Sequence, residues 1–280
     1  VNLHLAVGGP GPDGYHPVQT VLQALAFGDT VTIEPGEPTF HCSPDLGLTT
    51  DENLAWRAAH AMAEAFERAL DAAITVEKRV PAGAGLGGAS ADAAAVIVGL
   101  ADLWGIDARS ERLAEIARTL GADVPFFLEG GAALYAGHGD VLVRRLPSLD
   151  ASIVLVKPAE PVATAAAYAA FDDLGAPTME PAEPLIAALE SGGARAVATR
   201  LHNAMTASSA RLVTAIADAL ALVRACPGVA GAAMAGSGSA VFGICEGDAS
   251  AAECVSRAES EGFWATATRT HAGGCVIERA

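Results

Sequence analysis

Ten residues constrain this chain more than any others: Pro81-Ala82-Gly83-Ala84-Gly85-Leu86-Gly87-Gly88-Ala89-Ser90, set between a strand-like run and a long apolar stretch. Glycine at 83, 85, 87 and 88 lets the backbone bend so that successive N–H groups face one concavity. If a helix follows at Ser90, its first turn adds unpaired donors and positive dipole potential. The segment therefore reads as an anion cradle that needs no basic side chain. Alternatively it is a flexible turn, although turns rarely call for so many glycines.

That chemistry has to be local, because the chain as a whole repels anions. Of 280 residues, 17 are basic and 33 acidic, for a net charge of -16. Nucleic acid and anionic lipid surfaces are poor partners for such a surface. The length leaves room for two domains. The five cysteines, at 42, 226, 245, 254 and 275, contain no CxxC pair, which argues against a disulfide framework or zinc ribbon and fits a reducing cytoplasm. The histidines form no HExxH or other metal-ligand cluster, and no GxSxG elbow is present. The uncharged run from Ala225 to Cys245 is long enough to span a membrane, but Pro227 and its glycines make it strand, turn, strand. The chain begins at Val1 rather than methionine, so a leader or first strand is expected upstream.

Periodicity places strands at Leu3 to Val7, Thr30 to Glu34 and Ala73 to Val80, the last ended by Pro81. Leu54, Ala58, Met62 and Phe66 mark one face of a helix over Asn53 to Leu70. Helices are also expected over Ser90 to Trp104 and Ser110 to Leu120, with Ser90 and Ser110 as N-caps. Strands return over Gly131 to Leu146. The second half offers a strand at Ile153 to Val156, helices at Ala163 to Phe171 and Ser208 to Arg224, paired strands around Gly236, then a last helix and strand. Ala176 to Pro184 reads as a loop. Strands and helices do not alternate strictly, so the expected class is α+β, with a boundary near Pro147 to Ala151.

The glycine segment fits two known nucleotide motifs poorly. Gly83-x-Gly85-x-x-Gly88 matches a dinucleotide fingerprint in form, but its helix leads to another helix instead of a strand with a ribose-binding acid. A P-loop needs a lysine where Ala89 stands. The pattern instead resembles the ATP-phosphate loop of the GHMP small-molecule kinases, which include homoserine and mevalonate kinases. Asn2-Leu3-His4-Leu5 and Ala235-Gly236-Ser237-Gly238-Ser239-Ala240 resemble that superfamily's other two motifs, so the likeness spans nearly the whole chain. Asp13-Gly14-Tyr15-His16 and Leu120-Gly121-Ala122-Asp123-Val124-Pro125-Phe126-Phe127 are similar to the signatures of one branch. Its members phosphorylate the 2-hydroxyl of 4-diphosphocytidyl-2-C-methyl-D-erythritol, on the non-mevalonate route to isoprenoid precursors.

The resemblance implies an N-terminal ATP-binding domain over 1–150, similar to domain 2 of ribosomal protein S5. It implies a ferredoxin-like C-terminal domain over 151–280, whose last strand can return to the first domain, and a site in the cleft between the two. The implied catalytic residue is Asp123, partnered by a lysine two positions before Asn2 and thus upstream of Val1. Without the resemblance, Asp123 is either a turn or cap aspartate or a desolvated general base. Implied substrate contacts are Asn2, Tyr15, His16, Thr164 and Tyr168, with Tyr15 and His16 gripping cytosine and Tyr168 opposite. Implied ATP contacts are Asn53, Leu54, Lys78, Pro81, Ala82, Gly83, Ala84, Gly85, Leu86, Gly87, Gly88, Ala89, Ser90, Ala91, Gly236 and Gly238. Simpler readings remain for several: Asn53 is a good N-cap, Lys78 suits an exposed strand, Tyr168 can be helix packing and Gly236-Ser237-Gly238 a tight strand connection. The chain departs from the pattern at Ala89 and Ala91, where a glycine and a second hydroxyl are frequent. Asp92 sits oddly close to expected phosphate oxygens. ATP with Mg2+, a small-molecule substrate, a monomer or weak homodimer and a cytoplasmic location complete the expectation. The alternatives are a homoserine- or mevalonate-type kinase and an inactive ligand-binding protein of the same fold.

Overall fold

The computed structural model describes residues 1–175 and 178–279. In chain order the strands and helices are β1 (Asn2–Val7), β2 (Val18–Gln23), β3 (Thr30–Pro35), β4 (Thr39–Ser43), α1 (Leu54–Ala65), β5 (Ala72–Glu77), α2 (Gly88–Trp104), α3 (Glu111–Leu120), α4 (Val124–Glu129), β6 (Ala132–Ala136), β7 (Val141–Leu146), β8 (Ser152–Lys157), α5 (Thr164–Asp173), α6 (Glu183–Ser191), α7 (Ala194–Ala198), β9 (His202–Asn203), α8 (Thr206–Leu212), α9 (Ala215–Ala225), β10 (Val229–Met234), β11 (Val241–Cys245), α10 (Asp248–Ser260) and β12 (Trp264–Arg269). Among the described residues no helix is long and apolar enough to cross a membrane.

The chain divides into two compact units, each entered more than once. One comprises Val1–Phe27, Gly83–Leu86 and Gly131–Ala272; the other comprises Gly28–Ala82, Gly87–Gly130 and the residues from Gly273 onward. Pro147 to Ala151, where the sequence suggests a boundary, lies inside the first unit.

The first unit contains two sheets, ordered β7-β6-β2-β1-β9 and β10-β11-β8-β12. β12 pairs antiparallel with β8, so the last strand stays with the second-half sheet. β8 is buried along its whole length because both of its faces are covered. Val154 and Val156 join a core with Phe171, Ile216 and Val223, while Ile153 and Leu155 join another with Leu185, Leu189 and Phe242. That two-sided burial is why the strand reads as an unbroken apolar run. Pro184, expected in a loop, opens α6 instead, a position where the missing N–H costs nothing; Ala176 and Pro177 lie outside the described residues. The helix expected over Ser208 to Arg224 is two helices, because Val213 is extended at φ -132° and ψ 94°.

The second unit is a three-stranded sheet, β3-β5-β4, packed by α1 and α2. Ile74 and Val76 of β5 meet Met62, Ile97 and Leu100 there. Alanines at 58, 59, 93 and 94, all fully buried, let the two helices approach closely. A Cβ on Gly99 would lie 2.6 Å from Ile33 Cδ1, so a side chain there would push that end methyl aside where α2 crosses β3. β5 ends at Glu77, earlier than Pro81 would require, because Asp29 captures the following backbone amides. α2 starts earlier than expected: Gly87, left-handed at φ 71°, is its N-cap and Ser90 lies inside the first turn. Ser110 does stand at the N-cap of α3, but its side chain makes no capping bond.

Within the first unit the leading half of the glycine segment is interlocked with the β10–β11 connection. Ala240 N–H donates to Ala84 O at 3.0 Å, and Ser239 N–H donates to Gly83 O at 3.3 Å. Gly85 has φ +73°, and a Cβ there would collide with the carbonyl oxygens of Ala235 and Gly238. Gly85→Ala is therefore expected to destabilise the fold by more than the roughly 1–3 kcal/mol that a left-handed non-glycine residue costs by itself. Gly262→Ala is the control, since Gly262 has φ +85° with open space around it. Urea unfolding of both variants tests this, and equal midpoints would contradict the interlock.

Candidate active site

From Gly85 to Ser90 no backbone N–H donates a hydrogen bond among the described residues; the first amide of α2 to do so is Ala91, to Gly87 O at 2.9 Å. A run of unspent donors at a helix start is an anion-binding arrangement. Ala89 and Ala91 leave those donors intact, so the departures from the family pattern cost side-chain contacts only.

The Ala235–Ala240 connection is held at nearly every residue. Asn203 Nδ2 donates to Met234 O at 2.8 Å and Gly236 O at 2.9 Å. Asn2 Oδ1 accepts from Gly236 N–H at 2.9 Å, and Asn2 Nδ2 donates to Thr20 Oγ1 at 3.0 Å. Asn2 thus ties β1 to this connection and keeps one amide hydrogen for a ligand. Ser209 Oγ donates to Ser237 O at 2.8 Å, and Ser239 Oγ to Glu160 O at 2.7 Å. Thr164 Oγ1 and Ser237 Oγ are 3.0 Å apart. Gly236 and Gly238 border Gly85 directly.

Around Lys78 the structure differs from an exposed strand residue. Its Nζ lies 2.5 Å from Asp29 Oδ2 and 2.6 Å from Asp92 Oδ2, and all three side chains are at most 7% exposed. Burial would lower the Lys78 pKa, but Asp92 and Asp29 outweigh it and hold the amine above its ordinary value. Asp29 Oδ1 also accepts from the amides of Arg79, at 2.5 Å, and Val80, at 2.8 Å. The triad joins the end of β5, just before the glycine segment, to the first turn of α2, just after it. Asp92 is therefore tolerated because its carboxylate is turned to Lys78; burial raises its pKa and Lys78 opposes the rise. Asn53 caps α1, its Oδ1 accepting from Ala55 N–H at 3.0 Å, and Leu54 packs on the second unit's core.

Asp123 stands at the N-cap of α4, the helix into which the apolar Val124–Phe127 stretch folds, yet it makes no capping bond. Among the described residues its carboxylate has no hydrogen bond or ion pair. Although the residue is open to solvent, the surrounding protein desolvates the carboxyl and raises its pKa. A carboxyl so placed holds its proton more tightly than one that caps a helix.

His16 and Tyr168 are brought together, with ring centroids 4.8 Å apart. Tyr15 is 64% exposed and stacks on His138 instead, at 5.0 Å and 24°. The sequence reading missed Asp29, Thr20, Asn203, His138 and Asp172. Only Asp29 carried a usable signal, as a lone acid just before a strand.

The family model for the GHMP kinases N terminal domain matches residues 53–131, and that for the GHMP kinases C terminal matches residues 185–263. Over 253 residues the chain is 37% identical to the 4-diphosphocytidyl-2-C-methyl-D-erythritol kinase of Pelotomaculum thermopropionicum, covering 87% of this chain and 86% of that one. It is 39% identical over 264 residues to the enzyme of the same name from Salinibacter ruber, covering 90% and 89%. A crystal structure of 4-(cytidine 5'-diphospho)-2C-methyl-D-erythritol kinase matches with a TM-score of 0.83 at 34% identity, over 98% of this chain and 97% of that chain. The α+β, two-domain expectation agrees with these matches.

Removing one partner from the buried triad separates its roles. Lys78→Met leaves two buried carboxylates facing each other and is expected to cost about 3–5 kcal/mol. Asp92→Asn keeps the Lys78–Asp29 pair and is expected to cost less. Because the folded-state pKa of Asp92 is raised, wild type loses stability as pH climbs from the ordinary carboxylate range through that raised value. The stability gap should therefore move in favour of Asp92→Asn as pH rises across that window, measured by denaturant unfolding; a pH-independent gap would contradict the assignment.

Proposed function

The chain belongs to the GHMP kinases, in the family of the 4-diphosphocytidyl-2-C-methyl-D-erythritol kinases, and from that premise we propose that it transfers the γ-phosphoryl group of ATP to the 2-hydroxyl of 4-diphosphocytidyl-2-C-methyl-D-erythritol. The observation that carries this reading is the run of unspent amides from Gly85 to Ser90, which suits the phosphates of a nucleotide on a protein of net charge -16.

Asp123 accepts the proton of the 2-hydroxyl, the oxygen forms its bond to the γ-phosphorus, and ADP leaves with the electrons of the broken β–γ bridge. In a loose phosphoryl-transfer transition state the nucleophile needs orientation more than early deprotonation, so Asp123 first aligns the hydroxyl and then takes the proton. A lysine two positions before Asn2, upstream of Val1, is its proposed partner.

On the substrate side, Asn2, Tyr15, His16, Thr164 and Tyr168 are the proposed contacts. Asn53, Leu54, the Pro81–Ala91 segment, Gly236 and Gly238 serve ATP. Lys78 joins them through the triad that anchors the segment, not through a free amine.

Magnesium fits the donors present. The Ser90 hydroxyl lies in the first turn of α2, and among the described residues no three His, Cys, Asp or Glu side chains form a ligand cage, which suits an ion carried chiefly by phosphate oxygens. When bound it offsets the charge of the triphosphate. The five free cysteines suit a reducing cytoplasm, and the net charge suits small-molecule substrates rather than nucleic-acid or membrane partners; a monomer or weak homodimer is proposed alongside.

Substrate-dependent ADP release by the full-length protein tests the reading. Turnover with the cytidyl substrate and none with homoserine or mevalonate is expected; the reverse would assign another GHMP activity, and no turnover at all an inactive binder. Asp123→Asn should lower kcat by about 10²–10⁴ while leaving the KM for ATP nearly unchanged. Since desolvation raises the Asp123 pKa, its base form appears only above the ordinary carboxylate range. The acid limb of the wild-type pH–kcat profile should be displaced upward accordingly and vanish in Asp123→Asn. ATP affinity should fall sharply when magnesium is chelated.

A further inference from the structure

α5 presents Thr164, Tyr168 and Asp172 at four-residue steps, hence along one face. Tyr168 and Phe171 enclose His16, whose ring centroid lies 4.8 Å from that of Tyr168 and 6.0 Å from that of Phe171, the latter edge-on at 79°. The His16 side chain is 8% exposed, and its Nε2 lies 2.7 Å from Asp172 Oδ1. Asp172 is in the last turn of α5, where the helix dipole disfavours a carboxylate. A local rule broken at that point, and offset by a single partner, marks a functional constraint.

We propose that Asp172 is a positioning residue that fixes His16 as its Nε2–H tautomer and thereby makes Nδ1 the acceptor that distinguishes cytosine from uracil. A carboxylate has only acceptors to offer, so the nitrogen facing it carries the hydrogen. The other nitrogen of a neutral imidazole then presents a lone pair. Among the described residues Nδ1 has no hydrogen-bond partner, and it is not sealed off from solvent. Cytosine carries an amino donor at C4 where uracil carries a carbonyl acceptor. A lone pair at Nδ1 attracts the first and repels the second. This inference rests on the proposed cytidyl substrate and adds the residue that sets base selectivity.

The test uses the full-length protein at pH 8, above the ordinary imidazole range. Nitrogen NMR of 15N-histidine-labelled protein, with His16 assigned from a His16→Gln sample, is expected to show the proton on Nε2 in wild type and mixed tautomers in Asp172→Ala. Steady-state kinetics with the cytidyl substrate and its uridyl analogue should show KM for the cytidyl compound rising a few-fold in Asp172→Ala, since the acceptor tautomer is then only partly populated. The cytidyl-to-uridyl preference should fall by the same factor or more while kcat and the KM for ATP hold. Asp172→Asn, whose amide oxygen still accepts from Nε2–H, should retain most of the preference. A wild-type Nδ1–H tautomer, or an unchanged preference in Asp172→Ala, would overturn the inference while leaving the kinase activity standing. Failure of wild type to release ADP with the cytidyl substrate would instead overturn the substrate assignment, with the tautomer result still deciding whether Asp172 orients His16.

Discussion

The backbone pairing of Gly83 and Ala84 with Ser239 and Ala240 is the constraint on which the rest depends. It requires glycine at 85, because the carbonyl oxygens of Ala235 and Gly238 occupy the space a Cβ would need. Among the described residues the amides from Gly85 to Ser90 make no hydrogen bond. Asn2, Asn203, Ser209 and Ser239 then spend their side chains on the same connection. The shape of the main-chain segment is thus held from outside, by polar side chains of neighbouring elements.

The charges follow the same economy. The chain is net acidic, yet the lysine beside the segment is paired with Asp29 and Asp92. Two carboxylates on one ammonium leave the buried cluster short of positive charge, which burial shifts onto a raised Asp92 pKa. The triad is best understood as a clasp across the two ends of the glycine segment, with its electrostatic cost confined below the surface. Asp123 is the contrasting case, a desolvated carboxylate that makes no hydrogen bond among the described residues.

Much of this was legible in the sequence where one local rule decided the outcome. The glycine segment, the apolar α2 and the α1 stripe of Leu54, Ala58 and Met62 were all readable in that way. Where two rules competed, the sequence misled. Ser90 has the chemistry of an N-cap, but the left-handed Gly87 starts the helix before it. Lys78 reads as an exposed strand residue by its charge, but it shares the register of the buried Ile74 and Val76, and two distant aspartates receive it there. β2 and the two-residue β9 carry no period of their own and exist because neighbouring strands template them. Asp172 was invisible for a similar reason: its meaning depends on His16, far away in the chain.

The interlock also bears on when the protein can become active during synthesis. The carbonyl oxygens of Gly83 and Ala84 find their donors at Ser239 and Ala240, far downstream in the chain. The Gly28–Ala82 and Gly87–Gly130 segments carry their own sheet and core and can begin to condense on the ribosome. The loop they flank cannot take its final shape until β10 and β11 have left the exit tunnel. The loop's shape, and any activity that depends on it, thus waits on residues translated long after it.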